Sequence, residues 1–266
     1  MQQHRGNGAY GAMACVLTIG VLVGPTPAAG QVMIVGNDER RYAWMDEGFN
    51  TFLNHYSNMA YYGADAARLR RTSGDFIAQQ MQAPSSDQPI LTEPDHLRRE
   101  GLGFMAYRKP GYGLIMLREV VLGPERFDAA FKTYVENWAY KHPKPWDFYR
   151  SIEEVAGEEL SWFWRGWYQT TELLDQAVEE VAVSGDTVRI QLANRAGLVM
   201  PTLVEVELED GTVIRRSLPV EIWTSGDEFT LQLEFDHAPV RVTLDPDHML
   251  PDVDRSNEVW VRKPVS

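Results

Sequence analysis

Two acidic residues open the stretch with the most chemical promise. Asp46 and Glu47 stand in Trp44-Met45-Asp46-Glu47-Gly48-Phe49, and apolar residues follow at Phe52, Leu53, Tyr56, Met59 and Ala60. Steps of mostly three and four predict a helix with one buried face. Both carboxylates then fall in its first turn, at the positive end of the helix dipole. By residue type alone Glu47 is an exposed first-turn acid. One carboxylate alone does not hold zinc, which takes three protein ligands and keeps a fourth position for water when it is catalytic. The only cysteine, Cys15, excludes both a Cys-built zinc site and a disulfide within the chain. The histidines are His4, His55, His96, His142, His237 and His248. His55 shares the helix with Glu47, but eight residues rise about 12 Å, too far for both to reach one ion. Asp236-His237 and Asp247-His248 lie at turns near proline and read as solvated pairs.

The elements that must position these groups change character along the chain. Residues 1–30 combine a polar, weakly basic start, an apolar run over 14–24 and the small residues Pro25-Thr-Pro-Ala-Ala-Gly30. The run is too short for a membrane-spanning helix, which needs about 20 residues. It has the layout of a secretory signal, or of a non-native extension. Residues 31–174 read as mostly helical. A second helix is expected over 64–81, with Leu69, Phe76, Ile77 and Met81 inward. Another is expected beyond Lys109-Pro110, ending at Gly123-Pro124, and further ones over 125–140, 146–156 and 160–168. The aromatic run Trp162, Phe163, Trp164, Trp167 and Tyr168 reads as core, because such side chains bury large areas.

Beyond residue 175 the apolar period drops to two. Runs at 177–183, 188–192, 203–208, 213–218, 221–223, 229–235 and 240–244 alternate, with turns at Gly185-Asp186, Asp210-Gly211 and Gly226-Asp227. Short strands at that spacing predict an all-β sandwich over 175–266. The expected fold is therefore α+β, a mostly helical lobe followed by a β-sandwich.

Composition narrows the function classes. The chain has 266 residues, with 44% hydrophobic and 24% charged, which suits globular domains. Its net charge of −13 argues against a nucleic-acid partner, whose phosphates reward Lys and Arg. Membrane association and oligomeric state are left open by the sequence.

Trp44-Met45-Asp46-Glu47-Gly48-Phe49 resembles the W-x-[ND]-E-G-F helix of the gluzincin zinc aminopeptidases, the membrane-alanyl-aminopeptidase and leukotriene-hydrolase type. In that family the Glu binds zinc, a role the match places on Glu47. Ala106-Tyr107-Arg108-Lys109-Pro110 resembles the Y-x-K-[GP] segment, whose Tyr gives its hydroxyl to the oxyanion. Tyr107 lies 60 residues beyond Glu47, close to the family interval. The stretch 138–168 resembles the helices that follow, and Thr243-Leu-Asp-Pro-Asp-His248 resembles the end of the family's β domain. The resemblance thus runs in order from about Met33 to Trp260. It implies the helical lobe of a thermolysin-like metallopeptidase domain, a zinc cofactor, a peptide substrate and cleavage at the peptide's N-terminus.

One departure stands out. The family's other two ligands and its general base come from H-E-x-x-H, and the family interval puts that motif at residues 24 to 28. Here those positions are Gly24-Pro25-Thr26-Pro27-Ala28, and two prolines forbid the helix. The G-x-M-E-N segment that grips the substrate's amino end is missing too. Family-like sequence beginning near Met33 is what a truncated or rearranged, inactive aminopeptidase chain would show, or a secreted zinc-free relative used for binding or scaffolding. Loss of the partner lobe leads to an expected exposed apolar patch around Trp44 and Phe49.

Overall fold

Residues 34–63 and 67–263 are described by a computed structural model. The signal-like stretch over residues 1–30 lies outside them. The chain divides into two units. One comprises the described residues up to Ser73 together with Pro84–Thr170, and the other comprises Gly74–Ala83 with Thr171 onward.

The first unit is helical. A single turn, α1 (Glu39–Tyr42), leads into α2 (Trp44–Tyr62), which ends at Gly63. The face predicted to be apolar is the buried one, with Trp44, Phe49, Phe52, Leu53 and Tyr56 all inside. It meets the rings of Phe131 and Phe148 from two later helices of the same unit. Helix α3 (Gly74–Met81) follows α2 in the chain and belongs to the second unit. Residues 99–121 form a continuous helical run, α4, in which the α segments Arg99–Leu102 and Lys109–Met116 alternate with π segments Gly103–Arg108 and Leu117–Val121. After it come α5 (Pro124–Trp138), α6 (Pro145–Ala156) and α7 (Ser161–Phe163), the last continuing as a π turn over Trp164–Tyr168. Gly157 closes α6 in the left-handed conformation, φ 66°, which glycine adopts without steric cost.

Two helical expectations need correction. The α4 run begins well before Lys109-Pro110 and passes through it. Proline is tolerated because the preceding turn is π-helical: Lys109 N–H donates to the Phe104 carbonyl, five residues back. A wider turn leaves room for a ring that an α turn would drive against the carbonyl four residues earlier. The helix expected over 64–81 is broken into a 3-10 turn, Ala67–Thr72, and α3. Thr72 Oγ1 and Ser73 Oγ bond to the Leu69 and Arg70 carbonyls, an alternative to helix propagation. Gly74 then starts α3 where a Cβ would lie 2.5 Å from the His248 carbonyl oxygen.

Among the described residues no exposed apolar patch surrounds Trp44 and Phe49, which are 1% and 4% exposed. The lobe covers them with its own rings. Trp44 lies 4.6 Å from Tyr168 and stacks on Tyr149, while Phe49 meets Phe148 at 4.9 Å and Phe131 at 5.8 Å. Phe163, Trp164, Trp167 and Tyr168 are buried as expected, and Trp162 is half-buried.

The second unit carries two antiparallel sheets. One has the order β1 (Gln176–Ser184), β2 (Thr187–Asn194), β5 (Glu228–Glu234). The other runs β4 (Val213–Leu218), β3 (Thr202–Leu208), β6 (Pro239–Leu244), β7 (Val259–Val261). Val188, Ile190 and Leu192 of β2 share one core with Val204, Val206 and Leu208 of β3 and with Val242 and Leu244 of β6. Alternate residues point to that core, as the period of two requires. The strand expected at 221–223 is instead a 3-10 turn, Val220–Trp223. Its Trp223 buries in the core and donates its indole N–H to the Met200 carbonyl at 3.1 Å, which a strand direction would not allow. The β7 strand went unanticipated because three residues are too few to show a period. Among the described residues no helix is long and apolar enough to cross a membrane.

The contact that fixes the helical unit is the crossing of α2 and α4. A Cβ on Gly48 would stand 2.9 Å from Pro110 Cβ, and one on Gly111 would stand 2.7 Å from Thr51 Cβ and 3.0 Å from the Gly48 carbonyl oxygen. Close-packed interiors give little room for such an addition. Gly111→Ala is therefore expected to destabilise the protein by about 1–3 kcal/mol. Gly103→Ala, where a Cβ meets nothing within 4 Å, should be neutral or gain up to about 1 kcal/mol. Urea unfolding followed by tryptophan fluorescence measures both, because six of the eight tryptophans lie in the helical unit.

Candidate functional site

Glu47 sits in the first turn of α2 and Tyr107 in the first π segment of α4. The glycine-lined crossing just described sets the two helices close enough for their side chains to meet. Tyr107 Oη donates to Glu47 Oε1 at 2.6 Å across 60 residues of chain. The phenol is 39% exposed and the carboxylate half-buried, so the pair faces solvent from the helical unit. Around it, Asn50 Nδ2 donates to Asp46 Oδ1 at 3.1 Å, and Thr51 Oγ1 donates to the Glu47 carbonyl at 2.8 Å. The bond to Glu47, some burial and the charges of Glu47 and Asp46 push the Tyr107 phenol up to about 12. It is thus a hydroxyl that keeps its proton through the neutral range and can give a hydrogen bond.

Beneath this pair the framework is apolar and tight. Lys109, two residues along, is buried with its ammonium 3.4 Å from the Thr170 carbonyl oxygen and 5.2 Å from the Trp167 ring centroid. Burial lowers its pKa to about 8. Trp167 donates its indole N–H to the Lys109 carbonyl at 3.0 Å, tying α7 to the middle of α4. The segment that carries Tyr107 is therefore anchored from below by residues of the aromatic run.

The family resemblance would put a metal on Glu47. Among the described residues no group of three or more His, Cys, Asp or Glu side chains is arranged to hold an ion. His55, two turns along α2, points its Nδ1 at Thr72 Oγ1, 2.7 Å away. Burial lowers its pKa to about 4, against the raising effect of Glu119, so it is neutral at pH 7. The His237 and His248 rings lie 3.7 and 3.0 Å from the Asp210 and Asp75 carboxylates on the surface. The described residues do not by themselves make a zinc site.

A polar groove of about 390 Å³ opens beside Tyr107 along the outer face of α2. Thr51, Asn54, His55 and Asn58 line it from α2, with Arg71 and Arg108 among the residues opposite. Apart from His55, weighed as a metal ligand, and Arg108, within the Tyr107 segment, these positions carried no functional reading in the sequence. The available signal was a polar stripe at four, seven, eight and eleven residues after Glu47, which puts them on its side of the helix.

The Tyr107–Glu47 bond has a direct readout. In ring-labelled tyrosine NMR spectra, the Tyr107 signal, assigned by its loss in Tyr107→Phe, should titrate near pH 12. Glu47→Gln should return it toward the ordinary value of 10. Because the folded value is the raised one, the bond supports the fold below about pH 10 and is lost as pH rises through about 12.

Residues 33–167 match the description "Peptidase family M1 domain". Aminopeptidase M1-C of Oryza sativa subsp. japonica is 27% identical over 121 residues, 45% of this chain and 14% of that protein. Probable aminopeptidase 2 of Sulfurisphaera tokodaii is 23% identical over 130 residues, 47% of this chain and 16% of that protein. The chain thus spans a small part of the length of these relatives. Among solved structures, Legionella pneumophila aminopeptidase A in complex with aspartic acid superposes with a TM-score of 0.60 at 16% identity, covering 83% of this chain and 25% of that one. That likeness concerns the fold, a helical lobe with a β unit. Since the family match takes in half of the chain, including both the Glu47 helix and the Tyr107 segment, the chain belongs to peptidase family M1.

Proposed function

We propose that this chain carries one half of a zinc-dependent aminopeptidase-type site, which hydrolyses the peptide bond at the N-terminus of peptides. The supporting observation is the 2.6 Å bond between Glu47 and Tyr107. These are the two residues to which family resemblance assigns the third zinc ligand and the oxyanion donor. Glu47 would hold the metal. Tyr107, protonated at neutral pH, would turn its O–H from the carboxylate toward an oxygen that becomes negative in the transition state, where a fixed donor is worth most. The rigid crossing beneath them keeps the donor aimed without reorganisation.

The polypeptide alone is inactive in this reading. None of its six histidines is followed by Glu, so H-E-x-x-H has no counterpart in the chain. Two imidazole ligands and a general base must come from another segment. No catalytic step is assigned to this chain beyond ligation by Glu47 and hydrogen-bond donation by Tyr107.

Elemental analysis and an alanyl-nitroanilide assay test the proposal. The 266-residue chain should bind no stoichiometric zinc and leave the substrate intact. Joined behind an H-E-x-x-H segment of a relative, it should hold about one zinc and cleave. In that protein Glu47→Gln should lose the metal. Tyr107→Phe should keep it while kcat falls about 10²–10³-fold. Hydrolysis by the isolated chain, or full activity in the Glu47→Gln protein, would contradict the proposal. A joined protein that folds but takes no metal would favour a zinc-free binding or scaffold relative.

A further inference from the structure

Among the described residues the two sheets of the second unit end in four edge strands, and three of these are blunted. An open edge offers unpaired N–H and C=O groups to any strand that comes beside it. β7 is only three residues long. β1 carries a bulge between Val178 and Glu180, which twists an edge away from flat pairing. β4 sets Arg216 directly opposite Val204, on the face turned to the core. The Arg216 guanidinium donates to the Arg215 carbonyl at 2.9 Å. Leu208 N–H donates to the Thr212 carbonyl, so the even-numbered residues of β4 bond to β3 and the Arg215 carbonyl faces outward. Arg216 thus covers an acceptor that an added strand would use.

β5 is built differently. Its seven residues pair with β2 in unbroken register and include no proline. Its core-facing positions are Phe229, Leu231 and Leu233, all uncharged and only half-buried. Asn194 N–H donates to the Asp227 carbonyl and Phe235 N–H to the Asp186 carbonyl, at 2.8 and 2.9 Å. The odd-numbered residues of β5 therefore bond to β2, and the N–H and C=O groups of Glu228, Thr230, Gln232 and Glu234 face the open edge. All four residues are exposed, and so are Asp227 and Asp236 just beyond the strand's ends. The one basic residue that β2 sets opposite this strand is Arg189, across from Gln232, so the edge is acidic at both ends.

We infer that the β5 edge receives an extended segment of a partner protein, with basic residues opposite Glu228 and Glu234 and apolar ones opposite Phe229, Leu231 and Leu233. Main-chain bonds to Thr230 and Gln232 supply the attachment, and alternate side chains supply the selectivity. The charge pattern chooses the occupant. A second copy of β5 laid antiparallel about Leu231 would set Glu228 against Glu234 twice, and like charges directly opposite are destabilising. A segment with lysine or arginine at those two places turns both contacts favourable, and its apolar residues cover the half-buried inner side chains. The site is independent of the Glu47–Tyr107 pair, which belongs to the helical unit.

Peptide binding to the 266-residue protein tests this. The end-capped peptide Lys-Val-Thr-Val-Thr-Val-Lys and its counterpart Glu-Val-Thr-Val-Thr-Val-Glu are titrated in, followed by amide NMR and hydrogen exchange. The lysine peptide should bind about fivefold tighter than the glutamate one, the scale of two exposed cross-strand charge pairs. It should also slow exchange at the Thr230 and Gln232 amides. Thr230→Pro removes an N–H that faces the edge and not β2, so the circular dichroism spectrum should hold while binding is lost. The double variant Glu228→Lys, Glu234→Lys leaves the backbone intact and should reverse the preference between the two peptides. No binding of the lysine peptide, equal binding of both, protection at other amides, or an unchanged preference in the double variant would each overturn the inference. A dimer in sedimentation that Thr230→Pro abolishes would assign the edge to a second copy and overturn it as well.

Discussion

Everything at the candidate site depends on how closely two helices can approach. Gly48 and Gly111 face each other across the α2–α4 crossing, and the backbone of one helix lies where a side chain of the other would be. Only at that separation does a phenol from the first π segment of α4 reach a carboxylate in the first turn of α2. The π turn does two things at once. It lets Pro110 sit inside a helix, and it places Tyr107 on the face that looks across to Glu47. Beneath the crossing, Trp44, Phe49, Phe148, Tyr149 and Tyr168 form a ring-packed floor, and Trp167 pins the Lys109 carbonyl. The polar pair is thus a surface feature held by a buried aromatic framework.

Much of this was legible in the sequence, for identifiable reasons. The 3.6-residue period of Phe49, Phe52, Leu53 and Tyr56 exposes α2 directly, and the period of two exposes most strands of the second unit. Both glycines of the crossing stand inside the two segments that carry the family resemblance, Glu47-Gly48-Phe49 and Tyr107 to Gly111. The misreadings have local causes. Pro110 looked like a helix start because π geometry leaves no trace in apolar spacing. Gly74 and the hydroxyls of Thr72 and Ser73 broke a helix whose apolar pattern continued across them. The patch expected around Trp44 and Phe49 is absent because the aromatic rings of α5, α6 and α7 reach over both. That is a tertiary fact with no signature in α2 itself.

Among the described residues the site has an acceptor, a donor and a groove, and no group of side chains arranged to hold a metal. This asymmetry follows from the sequence at residues 24 to 28, where prolines and small residues stand in place of H-E-x-x-H. Family membership rests on residues 33–167, which hold both Glu47 and Tyr107. The β unit has its own core and its own buried polar cluster, in which Arg255 meets the Asp245 and Glu258 carboxylates.

The central claim is that Glu47 and Tyr107 flank a single metal position. A crystal structure of the chain joined to an H-E-x-x-H segment, collected at the zinc absorption edge, tests it most directly. The account predicts one anomalous peak about 2.0–2.2 Å from a Glu47 carboxylate oxygen, with the Tyr107 hydroxyl facing the open coordination position. A metal bound without Glu47, or a Tyr107 hydroxyl turned away from it, would contradict the account.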